Sequence, residues 1–182
     1  HSPAIVSILT AQGGRPVRVR SDNREECLLR LLSGEADLAV VYAVPEIAPL
    51  TLNRSFEQVL LGRERLRPVA APRLAQGNDL PFIGYPADVF LGQIMARAIL
   101  PRIPAHRILR RRAETALTLA AHEYARRGIG VAWLPEGMVH RDLDEGRLVP
   151  LDQTLPEQEM ELWMIRLSER SDDGWAHDWS RL

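Results

Sequence analysis

RPVRVRSDNREECLLRLLSGEADLAVVYA, residues 15–43, holds in one run the pattern that decides the fold. Val17 and Val19 alternate with arginines, the period of a half-buried strand. SDN then offers helix-capping side chains, with Glu26 three residues after Asn23 as a capping box, and Leu28, Leu31 and Leu32 follow at helical spacing. Gly34 supplies a left-handed stop. DLAVVYA, residues 37–43, is the unbroken apolar run expected of a parallel strand covered on both faces. The unit reads β-α-β.

The same alternation of elements continues outward. Residues 51–72 predict two strand-like stretches around an Arg/Glu-rich turn, and Pro81 to Gly84 a short strand. Residues 88–100, DVFLGQIMARAIL, place Phe90, Ile94 and Ala98 on one helical stripe that closes ahead of Pro101. HRILRRRAE alternates weakly, and TALTLAAHEYARRG predicts a helix with Thr115 as N-cap and Gly128 as stop. IGVAWLP is the buried strand after it, and EMELWMIRL alternates again with Met160, Leu162 and Met164 on one face. The closing DGWAHDWSRL suits a short helix. Strands and helices in this order predict an α/β fold of parallel sheets flanked by helices, because parallel strands need long crossover connections.

Composition narrows the function. With 182 residues, 46% of them hydrophobic, the chain can bury a real core as one large or two small domains. A net charge of −1 gives no electrostatic reason for direct contact with nucleic acid or an anionic membrane. The longest apolar runs, Leu38–Ala43 and Ile129–Leu134, are strand-length, and no export signal opens the sequence. Its start at His1, without Met, reads as that of a trimmed fragment. Cys27 is the single cysteine, which excludes an internal disulfide and leaves the cytoplasm as the expected compartment; within a helical pattern it reads as a packed or surface thiol. All 23 basic residues are arginines, which removes Schiff-base, P-loop and catalytic-lysine chemistry together.

The chemistry-bearing candidates mostly resolve into structure. Gly128 and Gly130 follow a helix and precede a strand, the reverse of a dinucleotide fingerprint, so Gly128 reads as a helix stop and Gly130 as a close approach to the sheet. His140, Asp142, Asp144 and Glu145 read as a solvated turn, since no spacing matches a zinc or calcium loop. His177 and Asp178 have no nucleophile elbow to serve. Arg110, Arg111 and Arg112 read as a solvated strand edge or an intersubunit contact. Neither a catalytic set, a metal site nor a cofactor is expected. What remains is three helix starts with polar residues, Ser2 before Pro3, Asp22 with Asn23, and Thr115, where unpaired N–H groups suit an anionic ligand. In open α/β sheets, ligands sit at the carboxyl ends of strands.

LLRLLSGEADLAVVYA and GIGVAWLPEGMVHRDLDEGRLVPL resemble, in order and separation, two characteristic segments of the effector-binding domain of LysR-type transcriptional regulators. The resemblance implies two Rossmann-like subdomains joined by two crossover segments, like the type 2 periplasmic binding proteins. Subdomain I would comprise residues 1–66 with 147–182, and subdomain II residues 67–146. A small organic effector, tilted by the arginines toward an anion, would be held by His1, Ser2, Pro3, Asp22 and Asn23 and by Gly84, Tyr85, Pro86 and Thr115. The resemblance further implies a homodimer or homotetramer, no membrane partner, no enzymatic activity, and DNA contact only through an amino-terminal domain absent from these residues. HSPA and AWLPE also resemble a subgroup that includes a hypochlorite-responsive regulator, which leaves oxidant sensing through Met95, Met138, Met160 or Met164 as an alternative. An exported solute-binding protein is the rival from another class.

Overall fold

The computed structural model describes residues 17–75 and 79–168. The chain forms two compact units, His1–Arg63 with Met160–Leu182, and Glu64–Glu159.

In the first unit, helix α1 spans Arg24–Leu32 and strand β1 Ala39–Ala43. Asn23 is the N-cap in extended conformation, but its side chain makes no capping bond, so the expected capping box does not form. The helix start is helped instead by Glu25 and Glu26 in its first turn, and Gly34, at φ 75°, ends it as expected. Arg30 gathers Asp22 at 3.0 Å, Glu26 at 3.3 Å and Glu35 at 2.7 Å, tying both ends of the helix to one guanidinium. Of the expected leucine stripe only Leu31 is fully buried, while Leu32 is exposed.

Two expectations for this region are corrected. Residues 17–20 form no strand and are exposed. β1 pairs antiparallel with β7, Gln158–Leu167, in the register Ala39↔Ile165 to Ala43↔Glu161, and its side chains alternate between buried and half-buried. An apolar run shows that a strand is covered, but not the direction of its partner. On the other face of β7, Met160, Leu162 and Met164 are buried together, as their alternation predicts.

Strand β2, Phe56–Ala70, lies beside β7 and is continuous, correcting the expected turn at residues 62–65. GRER keeps the strand period, and its charges are neutralised sideways. Arg65 and Arg67 reach Glu136 at 3.0 and 2.8 Å, Arg65 also meets Glu157 at 3.5 Å, and Arg67 meets Asp152. Both β2 and β7 run from one unit into the other, so the two crossover segments are strands rather than loose linkers.

In the second unit β2 pairs antiparallel with β5, Ala132–Pro135, and with β6, Val149–Pro150. Here the expected parallel pairing appears. β3, Asp79–Gly84, is parallel to β4, Ile108–Glu114, and on its other side exchanges hydrogen bonds with Val131. A Cβ at Gly130 would stand 2.9 Å from the Pro81 carbonyl oxygen, so only glycine allows this approach.

Helix α2, Phe90–Ile94, continues as a wider π turn over Met95–Ile99 and a 3-10 turn over Leu100–Arg102. The expected stop before Pro101 is therefore passed. Proline lacks only the N–H, which the opening of a new 3-10 turn does not require. α2 lies so close to the preceding loop that a Cβ at Gly92 would fall 1.8 Å from the Pro86 oxygen. Gly92→Ala is expected to destabilise the fold by about 2 kcal/mol, checked by urea denaturation, since backbone on both sides must move apart.

Helix α3, Thr118–Arg126, ends at Gly128, φ 68°, as expected, but its N-cap is Leu117 rather than Thr115. Helix α4, Glu136–Asp144, occupies the segment expected to be a solvated turn. Pro135 sets the entry, Glu136 faces the positive helix end, and Gly146 at φ 66° closes it. Trp133, Leu134 and Val139 are fully buried around these elements.

Candidate functional site

The carboxyl ends of β3 and β4 lie side by side, with Gly84 in register with Glu114. The chain leaves β3 through Gly84, Tyr85 and Pro86 toward α2, and leaves β4 through Thr115 toward α3. These two exits are stapled, because the Thr115 backbone N–H donates to the Gly84 carbonyl at 3.1 Å. Four of the predicted site residues therefore meet at one place, the position where parallel α/β sheets present ligands.

Each of the four has a defined local role. Gly84 faces the stem of Arg111, where a Cβ would come within 2.9 Å of Cδ. Tyr85 is buried, and its hydroxyl donates to the Trp133 carbonyl at 2.9 Å. Burial pushes the Tyr85 phenol far above its ordinary range, so it remains a protonated donor. Pro86 accepts the Val89 N–H at 3.2 Å, shaping the entry to α2. The half-buried Thr115 hydroxyl accepts the Leu117 N–H at 3.1 Å, and its own proton remains available to a ligand.

In the first unit Asp22 and Asn23 stand together at the start of α1. The Asp22 carboxylate accepts from Arg30 Nε at 3.0 Å, while Asn23 uses its backbone carbonyl for the Cys27 N–H. His1, Ser2 and Pro3 lie outside the described residues, as do His177 and Asp178. Cys27 is half-buried, and burial raises its thiol pKa, aided by the nearby Asp22 charge; this keeps the thiol protonated rather than nucleophilic.

The acidic segment on α4 has a function the sequence did not disclose. Asp142 is buried and accepts from His122 Nε2 at 2.5 Å and from Arg147 Nε, with Arg126 at 3.4 Å. Burial by itself would raise the Asp142 pKa, but the hydrogen bonds from Arg147 and His122 outweigh it and hold the carboxyl below its usual range. This cluster locks α3 to α4. His140 and Asp144 form only an exposed pair at 3.3 Å. Among the described residues no group of three His, Cys, Asp or Glu side chains could hold a metal, and no helix is long and apolar enough to cross a membrane. Arg110 pairs with Asp79 and Arg111 with Glu114 on the exposed β4 strand.

Comparison with known proteins gives this geometry its context. No curated protein sequence matches the chain. Among solved structures, the regulatory domain of HypT from Salmonella typhimurium in its apo form superposes with a TM-score of 0.80 at 19% identity, covering 98% of this chain and 87% of that one. Vibrio fischeri DarR, solved in complex with DNA, gives 0.75 at 15% identity, covering 97% and 62%. Full-length LysG from Corynebacterium glutamicum with bound effector Arg gives 0.67 at 20% identity, covering 93% and 58%. The chain thus spans about three-fifths of these two longer regulators. Its two α/β units and two crossover strands are the type 2 periplasmic-binding-protein arrangement. The sequence profile of the LysR substrate binding domain matches residues 3–179, and with almost every residue accounted for, the chain belongs to that family.

Proposed function

We propose that this chain is the effector-sensing and oligomerising part of a bacterial cytoplasmic LysR-type transcription regulator, acting without enzymatic chemistry. The observation that carries the reading is the stapled pair of exits at Gly84 and Thr115, which offers an available hydroxyl proton at the carboxyl ends of two parallel strands. The effector is a small organic acid, held at these exits. Its binding favours one arrangement of the two subdomains, and homodimer or homotetramer contacts pass that preference to a DNA-binding domain of the whole protein. Oxidant sensing draws less support, because Met95, Met160 and Met164 are buried and only Met138 is partly open.

The test is a thermal-shift series with small carboxylates and aromatic acids. A ligand of the folded state at about 100 times its Kd adds about 2.7 kcal/mol to stability. Thr115→Val is expected to weaken the responding acid by about 1–2 kcal/mol, roughly 5- to 30-fold, while the unliganded variant stays folded. A saturable response that Thr115→Val leaves unchanged would remove the site from these loops, and the absence of any response from the folded chain would remove the acid class.

A further inference from the structure

The first unit holds a depression that includes none of Gly84, Tyr85, Pro86 and Thr115. Along β7 the side chains of Glu161, Trp163 and Ile165 share one face by the two-residue repeat. Ile165 is buried with Leu31, Ala39 and Val41, and Trp163 packs at the margin of that cluster. Next to Trp163 opens a cavity of about 170 Å³, walled by the apolar Pro45, Pro49 and Leu50 and by Gln58, Glu161 and Trp163.

Its charge indicates what it would take. The Glu161 side chain is only 18% exposed, yet its salt-bridge partner, Arg63, stands 3.7 Å away and is 59% exposed. The closer contact is a neutral donor, since Trp163 Nε1–H reaches Glu161 Oε2 at 3.0 Å. A carboxylate largely withdrawn from water and only loosely neutralised attracts a cation. The adjoining indole already spends its N–H on this carboxylate and walls the cavity beside it.

The wall is built in advance. Val44 and Ala48 exchange backbone hydrogen bonds of 3.2 and 2.8 Å across a tight turn flanked by Pro45 and Pro49. Arg24 Nη1 donates to the Ala48 and Pro49 carbonyls at 3.0 and 3.4 Å, tying this turn to the start of α1. A wall already ordered costs a ligand little entropy on binding.

We infer that this cavity binds a small organic amine, with its ammonium on Glu161 beside the Trp163 ring and its body against Pro45, Pro49 and Leu50. At about 170 Å³ it falls below the roughly 300–1,000 Å³ of pockets for drug-sized ligands, so the body is a single ring or a short aliphatic chain. A carboxylate of the same shape is rejected by Glu161. This site is independent of the acid effector proposed above and stands or falls separately.

Phenethylamine and its acidic counterpart 3-phenylpropanoate are the probes, read on the ¹⁵N-labelled chain by the indole N–H resonance of Trp163, assigned with Trp163→Phe. The amine is expected to shift that resonance saturably below about 10 mM, and the acid to leave it in place. Glu161→Gln should weaken the amine about tenfold. Arg63→Ala removes the competing cation and should tighten it about threefold, a gain that a misfolded variant would not give. No saturable shift, an equal response to the acid, or unchanged affinity in both folded variants would overturn the assignment.

Discussion

Trp133→Ala is expected to lower the unfolding free energy by about 3–5 kcal/mol, the largest effect of any single truncation considered for this chain. Three losses coincide at that position. The indole is fully buried in β5, with Leu134 and Val131 fully buried beside it, so its removal forfeits apolar burial and leaves a cavity that a strand paired to β2 cannot collapse. Its Nε1–H donates to the Pro156 carbonyl at 2.8 Å, and that carbonyl loses its partner. Its own carbonyl receives the Tyr85 hydroxyl, so disorder at residue 133 reaches the loop that carries Gly84 and Pro86. Urea denaturation gives the magnitude, and Trp133→Phe separates the terms by keeping most of the volume while losing the indole hydrogen bond, with an expected cost nearer 1–2 kcal/mol. If both variants cost the same, cavity formation is not what dominates.

Asp142→Ala is expected to cost about 3 kcal/mol at neutral pH. Removing one partner from a buried charged cluster ordinarily costs about 3–5 kcal/mol. The value here falls at the low end because Arg126 and Arg147 are partly exposed and can turn to water, whereas His122 is more enclosed. The pH dependence follows from the sign of the shift. The folded carboxyl titrates below its ordinary value of 3.8, so the folded state holds fewer protons than the unfolded state in that interval. Its contribution is complete above about pH 5, begins to fall as pH drops toward the ordinary value, and is lost as pH falls through the lower folded value. Glu136, which burial would raise but Arg65 and Arg67 pull down, adds a loss in the same acid range. The stability difference between the native chain and Asp142→Asn should therefore shrink as the solution is acidified below about pH 5, as urea midpoints measured across that interval would show. A constant difference would mean that the carboxylate charge contributes nothing and only the shape of the side chain matters.

These two positions also show what the sequence made legible. From Ile108 to Leu134 the order of elements could be read, though the helix start was placed at Thr115 rather than Leu117, because most transitions carry a local signal. A two-residue repeat gives β4, a helical stripe ends at Gly128, and the apolar run that follows is β5. α4 was hidden because its start, Pro135-Glu136-Gly137, has the composition of a turn, and its acidic residues look solvated until Asp142 is seen to serve His122 from another helix. In a chain whose basic residues are all arginine, charge alone could not distinguish Arg147, which binds Asp142, from exposed Arg112.

The direction of pairing was illegible for a different reason. β1 and β3 are both short apolar runs, yet one finds an antiparallel neighbour and the other parallel ones. That choice is set by distant segments rather than by the run itself. The same holds for the candidate site. Gly84, Tyr85, Pro86 and Thr115 could be named as strand exits, but the bond from Thr115 to Gly84 exists only because β3 and β4 run parallel with a register shift between Phe82 and Ile83.

The strands that cross between the two units also dictate an order of assembly. β3 and β4 pair Asp79 with Ile108, a closure over one helical excursion, whereas β1 and β7 pair Ala39 with Ile165 across the whole of the second unit. Closing the longer loop through an unstructured chain costs more entropy and is slow, but a folded insert shortens it to the distance between its own ends. The second unit should therefore gain protection first, and the first unit only after β7 has been delivered to β1. Pulse-labelled hydrogen exchange during refolding would register this as early protection in β3, β4 and β5 and late protection in β1, whereas simultaneous protection would mean that the molecule folds as one cooperative body. Nascent chains released before β7 would then carry a finished second half and an open first half, with Val41 and Leu31 lacking the strand that covers them.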